Sequence, residues 1–145
     1  MSKELLISNL QSLRNQLDWL EHSYSICKNI SIKQRYETEE FDAFETLCSR
    51  FARSIDFLVR KVFRSVDDVE FENQGTLIDV INNAHKRGLF DSIENIRNLK
   101  DLRNDIAHEY LDEGLRELFE EILSNTPELM KIIANTIRYC DRYST

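Results

Sequence analysis

Glycine and proline are scarce in this chain, with three of one and one of the other among 145 residues. So few chain breakers exclude a loop-rich or turn-dense β protein and favour long uninterrupted helices. Three cysteines, Cys27, Cys48 and Cys140, lie far apart with no Cys-x-x-Cys, which excludes a disulfide framework or a zinc-finger ligand set. No apolar run approaches the roughly 20 residues of a membrane span. The opening Met1-Ser2-Lys3-Glu4-Leu5-Leu6 soon meets polar residues, so no signal peptide is expected. Basic residues are in deficit as well: the net charge is −7. Binding nucleic acid through bulk charge is therefore disfavoured, and any RNA contact must be local. The expected home is a reducing cytoplasm, without a membrane partner.

What is present is helical periodicity. Hydrophobic residues are 41% and charged residues 31%, as in a folded soluble chain. Leu6, Leu10, Leu13, Leu17, Leu20, Tyr24 and Cys27 alternate steps of four and three, which predicts a helix over about residues 3–28. Asn29 to Tyr36 reads as a connection. Phe41, Phe44, Cys48, Phe51, Ile55, Leu58 and Val62 mark a second long helix, widened by Phe57 and Phe63. Ser65 to Gly75, rich in acids, reads as a loop. Thr76-Leu77-Ile78-Asp79 resembles a capping box that opens a short helix, and Gly88 ends it. Asp91-Ser92-Ile93-Glu94 opens another by the same logic, with Ile93, Ile96, Leu99, Leu102 and Ile106 as its core face. Leu115, Leu118, Phe119 and Ile122 follow. Ser124-Asn125-Thr126-Pro127 predicts a break, with Thr126 as cap and Pro127 as first residue of a final helix carrying Leu129, Ile132, Ile133, Ile137 and Cys140. The expectation is one all-α domain over residues 1–145, an antiparallel bundle of four main helices plus short additions.

The chemistry concentrates in Arg103-Asn104-Asp105-Ile106-Ala107-His108-Glu109-Tyr110. On a wheel of roughly 100° per residue, Arg103 falls in the sector of Ile96 and Leu99, so it must find a carboxylate, a phosphate or a second chain. Tyr110 projects nearly the same way. Arg97, Asn104 and His108 share a neighbouring flank, with Lys100 between the two groups. These residue types suit metal-free cleavage of an RNA phosphodiester. Histidine exchanges protons near neutral pH, and arginine holds a phosphate bidentately. Tyrosine donates a hydrogen bond or stacks on a base, and Asn104 can orient His108 or the phosphate. No second histidine or paired carboxylates sit at ligand spacing near His108, so no metal is expected.

The segment R-N-D-I-A-H-E-Y matches the R-x4-H-x-Y motif of the HEPN superfamily, and with its flanking leucine, the length and the all-α pattern it resembles the HepT-type toxins. The resemblance implies a homodimer whose facing motifs form a composite ribonuclease cleft acting on mRNA or tRNA. Arg103 and His108 would be the catalytic pair, supported by Asn104, with Arg97 and Lys100 as RNA contacts. It implies a partner, a minimal nucleotidyltransferase antitoxin that transfers AMP from ATP onto Tyr110; the chain itself needs no cofactor. Asp105 and Glu109 should then point away from the cleft.

Plainer readings stand beside these. Arg103 and His108 can be a structural salt bridge and a helix-terminal histidine, and Tyr110 an amphipathic core-edge residue. His22 and His85 have no partner by spacing and read as surface residues. Arg50, Arg53, Arg60, Lys61 and Arg64 form a basic flank that could guide RNA but reads more simply as a solvated face. Two other functions compete with the ribonuclease: a non-catalytic substrate-binding subunit of a nucleotidyltransferase, and a helical scaffold. An internal carboxylate on Arg103, far from any two-fold axis, would favour the scaffold.

Overall fold

The computed structural model describes residues 2–72, 75–108 and 114–143, and among them all regular structure is helical, with no strand. Helix α1 spans Ser2–Cys27 and buries Leu6, Leu10, Leu13, Leu20, Ser23 and Cys27, much as the leucine periodicity predicts. It packs along α2, Thr38–Phe57, whose start is held by the Glu37 N–H donating to Glu40 Oε1 at 3.0 Å. The connection between them is anchored by Tyr36, whose ring meets Phe44 at 5.2 Å and Phe119 at 5.8 Å. Phe44 in turn stacks on Phe119 at 4.9 Å, joining α2 to α6, Leu115–Cys140.

Past Phe57 the chain does not leave the helix at Ser65, as the acidic composition suggests. A π-helical turn, Leu58–Val62, leads directly into α3, Phe63–Val69. The reason lies in where its polar residues go. Asp67 is only 2% exposed and is met by Arg87, Nη1 to Oδ1 at 2.7 Å. Asn83 Nδ2 donates to its other oxygen at 3.3 Å. Arg87 Nε also donates to Glu70 Oε1 at 2.9 Å. The opposite oxygen of Glu70 accepts from the hydroxyls of Tyr139, at 2.7 Å, and Tyr143. The acids of this stretch therefore bind α3 to the end of α4, Leu77–Lys86, and to the last turns of the chain. Burial pushes the Asp67 carboxyl above its ordinary value. Burial acts the same way on Glu70, but the two tyrosine hydroxyls and Arg87 outweigh it and hold Glu70 below the ordinary range.

Helix α4 opens on the expected box: Thr76 N–H donates to Asp79 Oδ2 at 2.9 Å, and Asp79 N–H donates to Thr76 Oγ1 at 3.3 Å. Gly75 is required beside it, because a Cβ there would lie 2.6 Å from Asp79 Cβ. Gly88 closes the helix at φ 78, the left-handed conformation that glycine adopts freely. Helix α5 spans Ile93–His108 and buries Ile96, Leu99, Leu102 and Ile106. Its entry is one residue later than the expected box: the Ser92 carbonyl accepts from Asn95 N–H at 3.1 Å, and Ser92 Oγ lies 3.3 Å from Asn95 Oδ1.

The expected break at Ser124–Pro127 is absent, and α6 runs straight through Pro127. Thr126 is fully buried and donates its hydroxyl to the Ile122 carbonyl at 2.6 Å instead of capping a new helix. The buried residues Phe119, Ile122, Leu129, Ile132 and Ile133 form one face across the proline, so tertiary packing overrides the local signal. No helix among the described residues is long and apolar enough to cross a membrane. The three cysteines are free and buried, and burial pushes their thiols up, to about 11 for Cys27 and Cys140 and about 12 for Cys48.

Candidate functional site

Helix α5 delivers the motif. Its buried face packs Ile96 and Leu99 inward, and Arg103, four residues after Leu99, emerges at the edge of that face where α5 meets α2. There it finds a carboxylate of its own chain. Arg103 Nε lies 3.0 Å from both oxygens of Asp56, and Nη2 lies 3.0 Å from Oδ2. The hydrogen bond it donates to Asp56, and then the charge of that carboxylate, push the guanidinium above its ordinary value. The apolar sector of the wheel thus ends in a half-open position: the Arg103 side chain is 36% exposed and that of Asp56 38%.

Around this pair runs a cleft of about 240 Å³. Its walls are Asp56, Val59 and Arg60 from the end of α2 and the π turn, Leu77 from α4, and Lys100, Arg103 and Asn104 from α5. Three cations and one carboxylate line it. Among the described residues, Arg60, Lys100 and Asn104 have no side-chain hydrogen bond or ion-pair partner, so their donors are free for an anion. A second groove of about 320 Å³ continues from Lys100 and Asn104 over Ile78, Ile81 and Ile93, and takes in Arg97 and Asp101. Arg97 is paired there with Glu94 at 2.8 Å, an exposed pair three residues apart.

The structure brings together Arg103, Asn104 and Lys100, and sets Arg97 in the adjoining groove. His108 is exposed on the last turn of α5, one turn beyond Asn104, and lines neither groove. Among the described residues the imidazole has no hydrogen-bond partner, so Asn104 does not orient it in this conformation. Asp105 is exposed and lines neither groove. Tyr110 and Glu109 lie outside the described residues. No group of three His, Cys, Asp or Glu side chains among the described residues is placed to hold a metal ion.

One cleft residue, Asp56, escapes the sequence reading. Asp56 follows Arg53 by three and precedes Arg60 by four, so an acid interrupts the basic flank; that interruption is the available signal. Arg60 is exposed, as the basic flank predicts, and also lines the cleft beside Arg103. Arg50 departs from that flank, lying over the Trp19 ring at 4.8 Å. The two remaining histidines are exposed, but both have partners. His85 Nε2 lies 3.1 Å from the Asp91 carbonyl, and its ring stacks on Phe90 at 5.5 Å. His22 meets Trp19 edge-on at 6.1 Å. Compared with family models, with curated protein sequences and with solved structures, the chain matches none.

Proposed function

We propose that this chain is a HEPN-like antiparallel helical bundle that cleaves RNA without a metal, as the toxin of a type VII-like toxin–antitoxin pair. The observation that carries this reading is the convergence of Arg60, Lys100, Arg103 and Asn104 on one cleft against the single carboxylate of Asp56, in a chain of net charge −7. A local cationic cleft on an acidic protein suits a phosphodiester better than bulk electrostatic binding.

In this reading Asp56 holds the Nε–Nη2 edge of Arg103 in place, and the Nη1 side with Lys100 and Arg60 receives the phosphate. His108, neutral at the start, takes the proton of the 2′-hydroxyl. The O2′–P bond forms and the P–O5′ bond breaks. The departing 5′-oxygen takes its proton from the imidazolium of a second copy or from water, leaving a 2′,3′-cyclic phosphate and a 5′-hydroxyl. The position of His108 outside the Arg103 cleft fits a site completed across a two-fold axis. A partner nucleotidyltransferase would silence it by transferring AMP from ATP to the Tyr110 oxygen, with pyrophosphate leaving. The added charge and bulk would then compete for the cations that hold RNA.

The test is cleavage of total RNA in excess EDTA by wild type and His108→Ala. Cyclic phosphate ends with the wild type, and none with the variant, are expected. No cleavage by the wild type, or equal cleavage by both, would falsify the ribonuclease. A second reading, a helical scaffold, is favoured by Arg103 already being paired with a carboxylate of its own chain, Asp56. Growth arrest on expression without a partner, relieved by Arg103→Ala, contradicts it.

A further inference from the structure

Between α1 and α2 lies a pocket of about 210 Å³ lined by Gln16, Trp19, Arg50, Arg53 and Ser54. No residue of α5 lines it, so it is separate from the Arg103 cleft. Its wall is built from the chain's only tryptophan, 58% exposed, with the Arg50 guanidinium 4.8 Å from the ring centre. Arg50 is held there by donating to Ser23 Oγ at 2.7 Å and to the Trp19 carbonyl at 3.2 Å. The result is a fixed, flat, cationic surface of the kind on which a base packs.

Two further groups at this pocket lack the partners they need. Arg53 is exposed, and among the described residues its guanidinium meets only the neutral Ser49 hydroxyl, at 3.2 Å. Gln16 Oε1 is buried and accepts no hydrogen bond among the described residues. A buried acceptor without a donor is unfavourable, and a turn of the half-buried Gln16 amide offers it to the pocket. The lining therefore combines a stacking wall, two guanidiniums with no carboxylate, and the Gln16 side chain, whose unpaired oxygen is buried and reaches the pocket by a turn of the amide.

We propose that this pocket binds one nucleotide unit. The base lies against the Trp19–Arg50 wall, a base N–H donates to the Gln16 amide oxygen, and the phosphate sits on Arg53. A free mononucleotide and a residue within single-stranded RNA present the same chemistry.

Trp19 reports directly on this pocket. The whole chain, carrying His108→Ala so that no strand is cut, is titrated with AMP, with adenosine and with a short oligoadenylate while Trp19 emission is followed. A saturable change with AMP assigns a free nucleotide, and one with the oligonucleotide alone assigns a strand. In either case adenosine and the Arg53→Ala variant should bind about tenfold more weakly or worse, because a charge-assisted phosphate contact is lost. The Gln16→Leu variant should also bind more weakly. Circular dichroism confirms that the variants fold. The idea is overturned by no response to either ligand at millimolar concentration, or by undiminished binding to Arg53→Ala. It is equally overturned if emission shifts to the blue with protein concentration alone, which puts a second copy over Trp19. Because the titration requires no cleavage, it stands or falls apart from the ribonuclease reading.

Discussion

Arg103 grips Asp56 by one edge, with Nε and Nη2 each 3.0 Å from a carboxylate oxygen, while both side chains stay more than a third exposed, at 36% and 38%. An ion pair in contact with water contributes only about 0–1 kcal/mol to stability. Arg103→Ala should therefore lower the unfolding free energy in urea by no more than about 1 kcal/mol, while abolishing cleavage in EDTA. A loss several times larger, with cleavage unchanged, would return Arg103 to a purely structural role.

The Arg87–Asp67 pair belongs to the opposite class, with side chains 7% and 3% exposed. Arg87→Met keeps most of the volume but leaves a carboxylate buried without its cation. A destabilisation of about 3–5 kcal/mol is expected, read as a lower urea midpoint. A change under about 1 kcal/mol would mean that water reaches Asp67 and that the pair is not closed.

Tyr139 and Tyr143 give the same network a pH signature. For both phenols, burial first and then the hydrogen bond to Glu70 push ionisation above the ordinary value of 10.0. A group whose folded value is raised contributes stability that is complete below its unfolded value, near pH 10, and disappears as pH climbs through the folded one. Stability should thus fall above about pH 10, and more steeply in wild type than in Tyr143→Phe. Parallel curves for the two proteins in chemical denaturation between pH 8 and 11 would show that the hydroxyl is not held as described.

Pro127 lies exposed inside α6, where it lacks the N–H that a helix interior uses. Pro127→Ala restores that donor without disturbing the buried face. The variant should melt at a higher temperature, with a gain of up to about 3 kcal/mol. If the chain instead bent sharply at Ser124–Pro127, alanine would bring no gain.

Where periodicity decides burial, much of the fold is legible in the sequence. The leucine steps of α1, the box at Thr76–Asp79 and the turn at Gly88 all read correctly, because each depends on neighbours within a few residues. Reading fails where a distant partner changes the meaning of a residue. Asp67 and Glu70 look like loop acids until Arg87, Tyr139 and Tyr143 meet them. Pro127 looks like a start until the core closes on both sides of it. In the cleft, Arg103, Lys100 and Asn104 share one helix and can be seen together in the sequence. Asp56, 47 positions earlier, and Arg60 join them only through the packing of α2 on α5.

The π turn at Leu58–Val62 is, in the end, a matter of counting. Its closing bond runs from the Phe63 N–H to the Leu58 carbonyl, five residues back where an ordinary turn spans four. One surplus residue is absorbed there without turning α3 away from the core. Shortening the chain by one position within this turn should leave an unbroken α-helix whose two ends still face the same neighbours. Arg60 rides on that surplus, so the same edit would rotate it relative to Asp56. A cation of the cleft is thereby set by the number of residues in one turn as much as by their kind.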